Sequence, residues 1–159
     1  MRTYQLETSL WLPQPRQQIF AFFSDPKNLE RITPPWLHFE ILSPTECVVH
    51  RGTRIDYRLR IRGLPIRWQS EIIIWEPPTR FDDQQTRGPY PLWVHEHTFS
   101  EHEGGTIAGD NVVYAVPGGR MVQKLFVAAD LDKIFHYRRV ALEHIFNPKK
   151  LQPIAQEGR

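Results

Sequence analysis

RIDYRLRIRGLPIRWQSEIIIWE, residues 54–76, decides the fold. Ile55, Tyr57, Leu59 and Ile61 alternate with Arg54, Asp56, Arg58, Arg60 and Arg62. That period of two puts apolar side chains on one face of a strand and charges on the other. Gly63-Leu64 predicts a two-residue turn. Ile66, Trp68, Ser70, Ile72 and Ile74 then predict a second strand buried on the same side. An antiparallel hairpin with one polar face needs cover only on the other.

Downstream, Pro77-Pro78 turns the chain into a strand at 80–86, and Gly88-Pro89-Tyr90-Pro91 turns it again into 92–101. Glu103-Gly104-Gly105 closes a hairpin to 106–116. Upstream, Tyr4, Leu6, Thr8 and Leu10 mark a first strand. Ile19, Phe20 and Phe23, after Pro15, share one helical face. Asp25-Pro26 supplies an N-cap and a first-turn proline for a second short helix, with Leu29 and Ile32 inward, and Thr33-Pro34-Pro35 stops it. A weakly marked strand spans 38–42. Beyond Pro117-Gly118-Gly119 a long helix is predicted over 121–146, with Leu125, Ala128, Leu131, Phe135, Leu142 and Ile145 as its apolar stripe and Asn147-Pro148 as its stop.

One strand, two short helices, a run of strands and a terminal helix predict an α+β domain. It is a curved antiparallel sheet of about 6–7 strands wrapped on a long C-terminal helix. A twisted sheet of this size curls, and a single helix cannot fill the concavity, so a pocket is expected between them. Residues 1–147 form the domain. Residues 148–159 form a polar tail in which Pro148 and Pro153 interrupt regular structure.

Composition narrows the function. A chain of 159 residues supports one sizeable core. Hydrophobic residues at 40% and charged residues at 24% exclude a disordered chain. A net charge of +2 does not point to nucleic acid. The arginine row at 54–62 carries no interleaved aromatics for base stacking, and it reads as a solvated face partly neutralised by Asp56 and Glu71. Cys47 is the only cysteine, so no internal disulfide forms, as in a reducing compartment. The N-terminus lacks the apolar run of a signal peptide, and no stretch approaches membrane-spanning length. A soluble, cytoplasmic protein without an integral membrane segment is expected.

Candidate chemistry concentrates on LWVHEHTFSE, residues 92–101. Trp93, His95, His97 and Phe99 point to the apolar side, which must be the inner one. If Gly105 pairs with His102, Asp110 lies opposite His97, and a two-residue shift puts it opposite His95. Asp110, Val112 and Tyr114 share the inner face in either register. A buried carboxylate needs a partner, and an imidazole supplies one. The pair serves as general acid and base or as a satisfied core hydrogen bond that orients a ligand. The absence of a neighbouring nucleophile favours the second.

His95-Glu96-His97 with Asp110 also resembles a metal-ligand set. Gly88, His95, His97, Glu101 and Gly109 loosely imitate the first motif of the cupin family. Gly88 is one residue too far from His95, however, and no second motif follows. No metal and no cofactor are therefore assigned. Asp83 and Gln85, on the side of Phe81, are placed groups in an apolar pocket or features of a polar edge strand. Arg138 flanks the apolar stripe of the terminal helix, where it reaches Asp110 or Asp83, meets an anionic ligand, or extends to water.

DPKNLERITPPW, IDYRLRIRGLPIRWQSEI, WEPPTRFDDQQTRGPY, LWVHEHTF and DNVVYAVP together resemble a bacterial group within the START-like, or SRPBCC, ligand-binding superfamily, which includes birch-pollen-allergen-like proteins and polyketide cyclases. The resemblance spans residues 4–146. It implies a helix-grip fold with a cavity between the sheet and the C-terminal helix. The positions that recur in that group are Trp68, Phe81, Asp83, Gln85, Gly88, Pro89, Trp93, His95, His97, Asp110, Tyr114 and Pro117. The expected function is binding of a small hydrophobic or amphipathic molecule. Its ligand-binding set is Tyr57, Trp68, Asp83, Gln85, Trp93, His95, His97, Asp110, Tyr114 and Arg138. The alternatives are a cyclase or dehydratase using the His–Asp pair and, behind it, a metal-dependent cupin-like protein.

Overall fold

The computed structural model describes residues 1–44 and 48–151. Cys47 and the tail from residue 152 lie outside the described residues. The chain begins with β1 (Tyr4–Leu12), followed by α1 (Arg16–Ser24) and α2 (Leu29–Ile32). The strands β2 (Glu40–Ile41), β3 (Arg54–Ile61), β4 (Leu64–Glu76), β5 (Arg80–Arg87), β6 (Leu92–His102) and β7 (Gly105–Ala115) come next. A terminal helix closes the order in three parts: α3 (Gly119–Val122), a π turn (Gln123–Val127) and α4 (Ala128–Phe146). The seven strands form one antiparallel sheet in the order β1-β7-β6-β5-β4-β3-β2. The terminal helix crosses its concave face. This is the helix-grip arrangement that the resemblance implies.

Local chemistry sets the punctuation. Asp25 accepts a hydrogen bond from the Lys27 backbone N–H at 3.0 Å, so it caps the 3-10 turn that Pro26 begins. The hairpin between β3 and β4 turns at Arg62-Gly63, one residue earlier than predicted, with φ of 51° and 82°. A two-residue hairpin loop that follows the sheet twist needs both central residues at positive φ, and Gly63 adopts that conformation without a Cβ clash. Glu103-Gly104 repeats the device between β6 and β7. Pro148, expected to break regular structure, instead opens a short 3-10 turn at Pro148–Leu151.

Two departures shape the interior. Ile72 stands opposite Asp83 and Ile74 opposite Asp82, which leaves Ile73 as the extra residue of a bulge. The bulge reverses the alternation, so Trp75 turns inward where Ile74 was expected. The Trp75 ring meets Phe20 edge-on at 5.3 Å. In the terminal helix, the π turn inserts a residue and rotates what precedes it by about 100° relative to an unbroken helix. Leu125, placed in the apolar stripe by its spacing, is 59% exposed. Val122 and Val127 take the inner side in its place, beside Leu131, Phe135 and Leu142, which lie there as the spacing predicts.

The core is a ring rather than a single mass. At one end Phe20, Phe23, Phe81 and Phe99 interlock. Phe20 meets Phe99 edge-to-face at 5.5 Å, and Phe23 meets it at 5.2 Å. Along the helix, Val112 and Tyr114 pack on Leu131 and Phe135. On the far side Leu37, Leu59 and Trp68 form a third group. Among the described residues no helix is long and apolar enough to cross a membrane. Phe99, 2% exposed, is the hinge of the aromatic end. Replacing it with alanine is expected to lower unfolding free energy by about 3–5 kcal/mol, measured by urea denaturation.

Candidate functional site

Inside the ring lies a cavity of about 810 Å³ between the sheet and the terminal helix. That volume suits a small organic molecule. Four of the five tryptophans (Trp36, Trp68, Trp75 and Trp93) line it. Most of the wall is aliphatic or aromatic, from Leu29 and Ile32 on one flank to Ile134 and Phe135 on the helix. One group of polar side chains gathers at one pole of the wall, Tyr57, Ser70, Asp83, His95, His97 and Arg138, and a second, with Arg62, Asp130 and Lys133, lies apart from it.

Strand register builds this polar pole. Period-two alternation turns His95 and His97 of β6 inward together. β5 sets Asp83 opposite His95 and Phe81 opposite His97. β7 sets Asp110 opposite His97, the first of the two registers considered. The Asp110 carboxylate also reaches diagonally. Its Oδ1 lies 2.7 Å from His95 Nε2 and 3.2 Å from His97 Nδ1, the latter poorly aligned for a hydrogen bond. His97 Nε2 lies 3.1 Å from Asp83 Oδ2. From α4, Arg138 extends an amino group to 3.3 Å from Asp110 Oδ1, with its guanidinium over the Phe23 ring at 5.2 Å. The two imidazoles lie 3.8 Å apart, and Phe81 stacks on His97 at 4.2 Å.

The electrostatics follow from burial against pairing. Burial alone would raise the Asp110 carboxyl, but Arg138 and both histidines outweigh it and hold the group well below the usual carboxylate range. Asp83 moves the same way, as His97 and His95 overcome its burial. Burial and the adjacent His97 push the His95 imidazole down, against partial support from Asp110. His97 goes up, because Asp110 and Asp83 outweigh its burial. The pole therefore holds two carboxylates, one guanidinium, a neutral His95 and a His97 that favours its proton. Burial, then Asp83, raises the Tyr57 hydroxyl well above its ordinary value. It stays a neutral phenol, 3.3 Å from Ser70 Oγ.

Seven of the ten expected residues line the cavity: Tyr57, Trp68, Asp83, Trp93, His95, His97 and Arg138. The other three do not. Asp110 stands behind the histidines. Tyr114 is buried against Trp93, and its hydroxyl accepts a hydrogen bond from Gln123 Nε2 at 3.3 Å. The Gln85 amide donates to the Tyr90 carbonyl at 2.6 Å and so fastens the turn into β6. A Cβ on Gly88 would lie 2.3 Å from the Gln85 Oε1, so the glycine makes room for that clasp. Trp36 and Trp75 were not anticipated in the wall. The bulge that turns Trp75 inward leaves no mark in the run Ile72-Ile73-Ile74.

The cupin-like ligand set is not assembled: Glu101 sits at the exposed end of β6, and Gly109 faces Thr98. A different trio has metal-ligand chemistry. One donor atom each from Asp83, His95 and His97 lies within 4.8 Å of the other two. At the far end of the cavity, Arg62 from the β3–β4 turn grips Asp130 of α4 through two hydrogen bonds of 2.8 and 3.0 Å and covers the Phe126 ring. The rest of the arginine row lies outside the cavity, with Arg54 on Glu71 and Arg58 on Glu40.

Residues 12–133 match the family described as polyketide cyclase / dehydrase and lipid transport. The chain belongs to this family. Solved structures agree on the fold. Protein Ms6760 from Mycobacterium smegmatis is 17% identical, with a TM-score of 0.67 over 91% of this chain and 92% of its own. Ara h 8.0201 is 15% identical, with a TM-score of 0.68 over 91% and 98%. Protein CV1439 from Chromobacterium violaceum is 12% identical, with a TM-score of 0.72 over 91% and 97%. At these identities the likeness is one of fold alone. No curated protein matches the sequence.

The polar pole carries a pH signature. Asp83 and Asp110 have folded pKa values below their unfolded ones, so their stabilisation is complete above about pH 4 and is lost as pH falls through the folded values. The depressed His95 also costs stability on acidification, beginning below about pH 6.5. The raised His97 acts oppositely, stabilising below about pH 6.5 and less as pH rises through its folded value. Asp110→Asn leaves Arg138 without its buried counter-charge. It is expected to cost about 3–5 kcal/mol at neutral pH and to flatten the acid limb of a stability-against-pH curve measured by chemical denaturation.

Proposed function

We propose that this protein binds a small hydrophobic or amphipathic molecule in the cavity between its sheet and terminal helix. The observation that carries the reading is the cavity of about 810 Å³, apolar over most of its wall, with a buried polar cluster at one pole. Burying an apolar ligand body removes surface from water at roughly 25 cal/mol per Å². The directional groups at the pole then select orientation and head group. His97 and Tyr57 offer hydrogen-bond donors, Asp83 an acceptor, and Arg138 a positive charge.

With four tryptophans in the wall, the ligand reports its own binding. A panel of fatty acids, flavonoids and aromatic polyketides is expected to contain members that quench tryptophan fluorescence and raise Tm. Ile134→Trp, which fills the cavity from the helix side, is expected to weaken such ligands at least tenfold while leaving the far-ultraviolet circular dichroism unchanged. A panel without a single binder, or a filled cavity that binds as before, would refute the reading.

A second reading is favoured by the opposed shifts of the two histidines. One imidazole shifted down beside one shifted up, 3.8 Å apart, is a pairing suited to proton transfer, and a shaped cavity can fold a reactive chain for cyclisation or dehydration. In this reading His97 donates, His95 accepts, and Asp110 holds both rings. With a substrate that the binding panel supplies, Asp110→Asn is expected to lower kcat by two or more orders of magnitude with little change in KM. Unchanged turnover would remove the role.

A further inference from the structure

We propose that the polar pole is a divalent transition-metal site, with Asp83, His95 and His97 as ligands and Asp110 as the carboxylate that orients His95. A metal ion needs converging donors of suitable chemistry, a shell that fixes those donors, and charge to meet it. The pole has all three. The donors converge within 4.8 Å of one another, and His97 Nε2 and Asp83 Oδ2 are already 3.1 Å apart. Two ligands about 2.0–2.2 Å from one zinc ion lie roughly 3.0–3.5 Å from each other, so side-chain rotation of about an ångström completes the set. Two imidazoles with one carboxylate suit zinc, iron(II) or cobalt(II) better than magnesium or calcium.

The orienting shell is the more specific feature. Asp110 hydrogen-bonds His95 Nε2 at 2.7 Å, and its charge lies 3.2 Å from His97 Nδ1 without a hydrogen bond to it. His95 Nδ1 is then the nitrogen that turns from Asp110, and His97 Nε2, now paired with Asp83, would exchange that hydrogen bond for the ion. A carboxylate on the distal nitrogen of a ligating histidine fixes its tautomer and raises its basicity; Asp110 does this for His95 and adds a negative charge beside His97. Arg138 completes the shell by balancing Asp110. Two carboxylates against one guanidinium leave one negative charge in a buried place, which only a proton on His97 meets in the metal-free protein. A divalent cation meets it, and the proton shared by His97 and Asp83 leaves to solvent when the ion takes the His97 lone pair. Three protein ligands on one side leave the remaining positions facing the cavity, where water or an oxygen of a bound molecule completes the coordination. The proposal stands apart from the identity of any organic ligand.

The test uses untagged full-length protein, stripped with EDTA, dialysed and titrated with Co²⁺. One equivalent is expected to bind with visible d–d absorption, to be displaced by one equivalent of Zn²⁺, and to perturb the NMR resonances of His95 and His97 before those of His38, His50, His102, His136 and His144. Asp83→Asn, a near-isosteric change, is expected to weaken Co²⁺ at least tenfold. Asp110→Asn is expected to weaken it by about 10–100-fold. His102→Ala, which removes the exposed imidazole beside Glu103, is expected to change nothing. Circular dichroism checks that each variant folds, and the wild-type titration and its NMR assignment stand without any variant. Absence of stoichiometric Co²⁺ binding, first perturbation of a histidine outside the cavity, or full affinity in Asp83→Asn would each overturn the proposal.

Discussion

The buried carboxylate of Asp110 is the constraint on which the rest of the structure depends. A charge taken out of water must be met by partners of fixed geometry or the fold loses more than any single apolar contact supplies. Asp110 on β7 draws partners from two other elements, His95 and His97 from β6 and Arg138 from α4. Satisfying it fixes the register of the central hairpin and seats the terminal helix at one place along the sheet. Arg139, next in sequence, adds a hydrogen bond of 2.6 Å to the Ser9 carbonyl on β1, so helix and sheet are joined at adjacent residues on either side of the same turn of α4.

The cavity comes from a mismatch of shape. Seven twisted strands curve around a helix too narrow to fill their concavity. The aromatic group of Phe20, Phe23, Phe81 and Phe99 closes one end, and the short helices α1 and α2 cover its flank. The polar pole sits where that aromatic plug ends, with Phe81 stacked on His97 and Phe23 beneath Arg138. Apolar rings around a charged cluster lower the local dielectric. This strengthens each pairing in the cluster and makes an unpaired member costly. The pole is thus chemically definite, while the rest of the wall is mostly apolar apart from the Arg62–Asp130 pair at the far end.

Period-two patterning along residues 54–76 and 92–101 and the apolar spacing of the terminal helix sufficed for the α+β class, the order of elements and the inward direction of Tyr57, Trp68, Trp93, His95 and His97. These follow from the sequence because a strand and a helix convert spacing directly into a face. The polarity of the pole was legible for the same reason, since histidines two apart on a strand cannot point to opposite sides. Counting back from the Glu103-Gly104-Gly105 turn left two registers for Asp110, and the structure has the one opposite His97.

Only the tertiary structure decided what that patterning leaves open. An inserted residue at Ile73 brought Trp75 inward, and the π turn carried Leu125 out to solvent, because bulges and π turns shift phase without changing composition. Gln85 shares the parity of Asp83, yet it closes a turn rather than lining the cavity, since its amide finds the Tyr90 backbone first. The reach of Asp110 to His95 as well as His97, and of Arg138 across from the helix, depends on side-chain direction over distances that alternation does not encode. The sequence by itself determined which faces are buried. The meeting of elements far apart in the chain determined which buried groups touch, and with it the chemistry of the cavity.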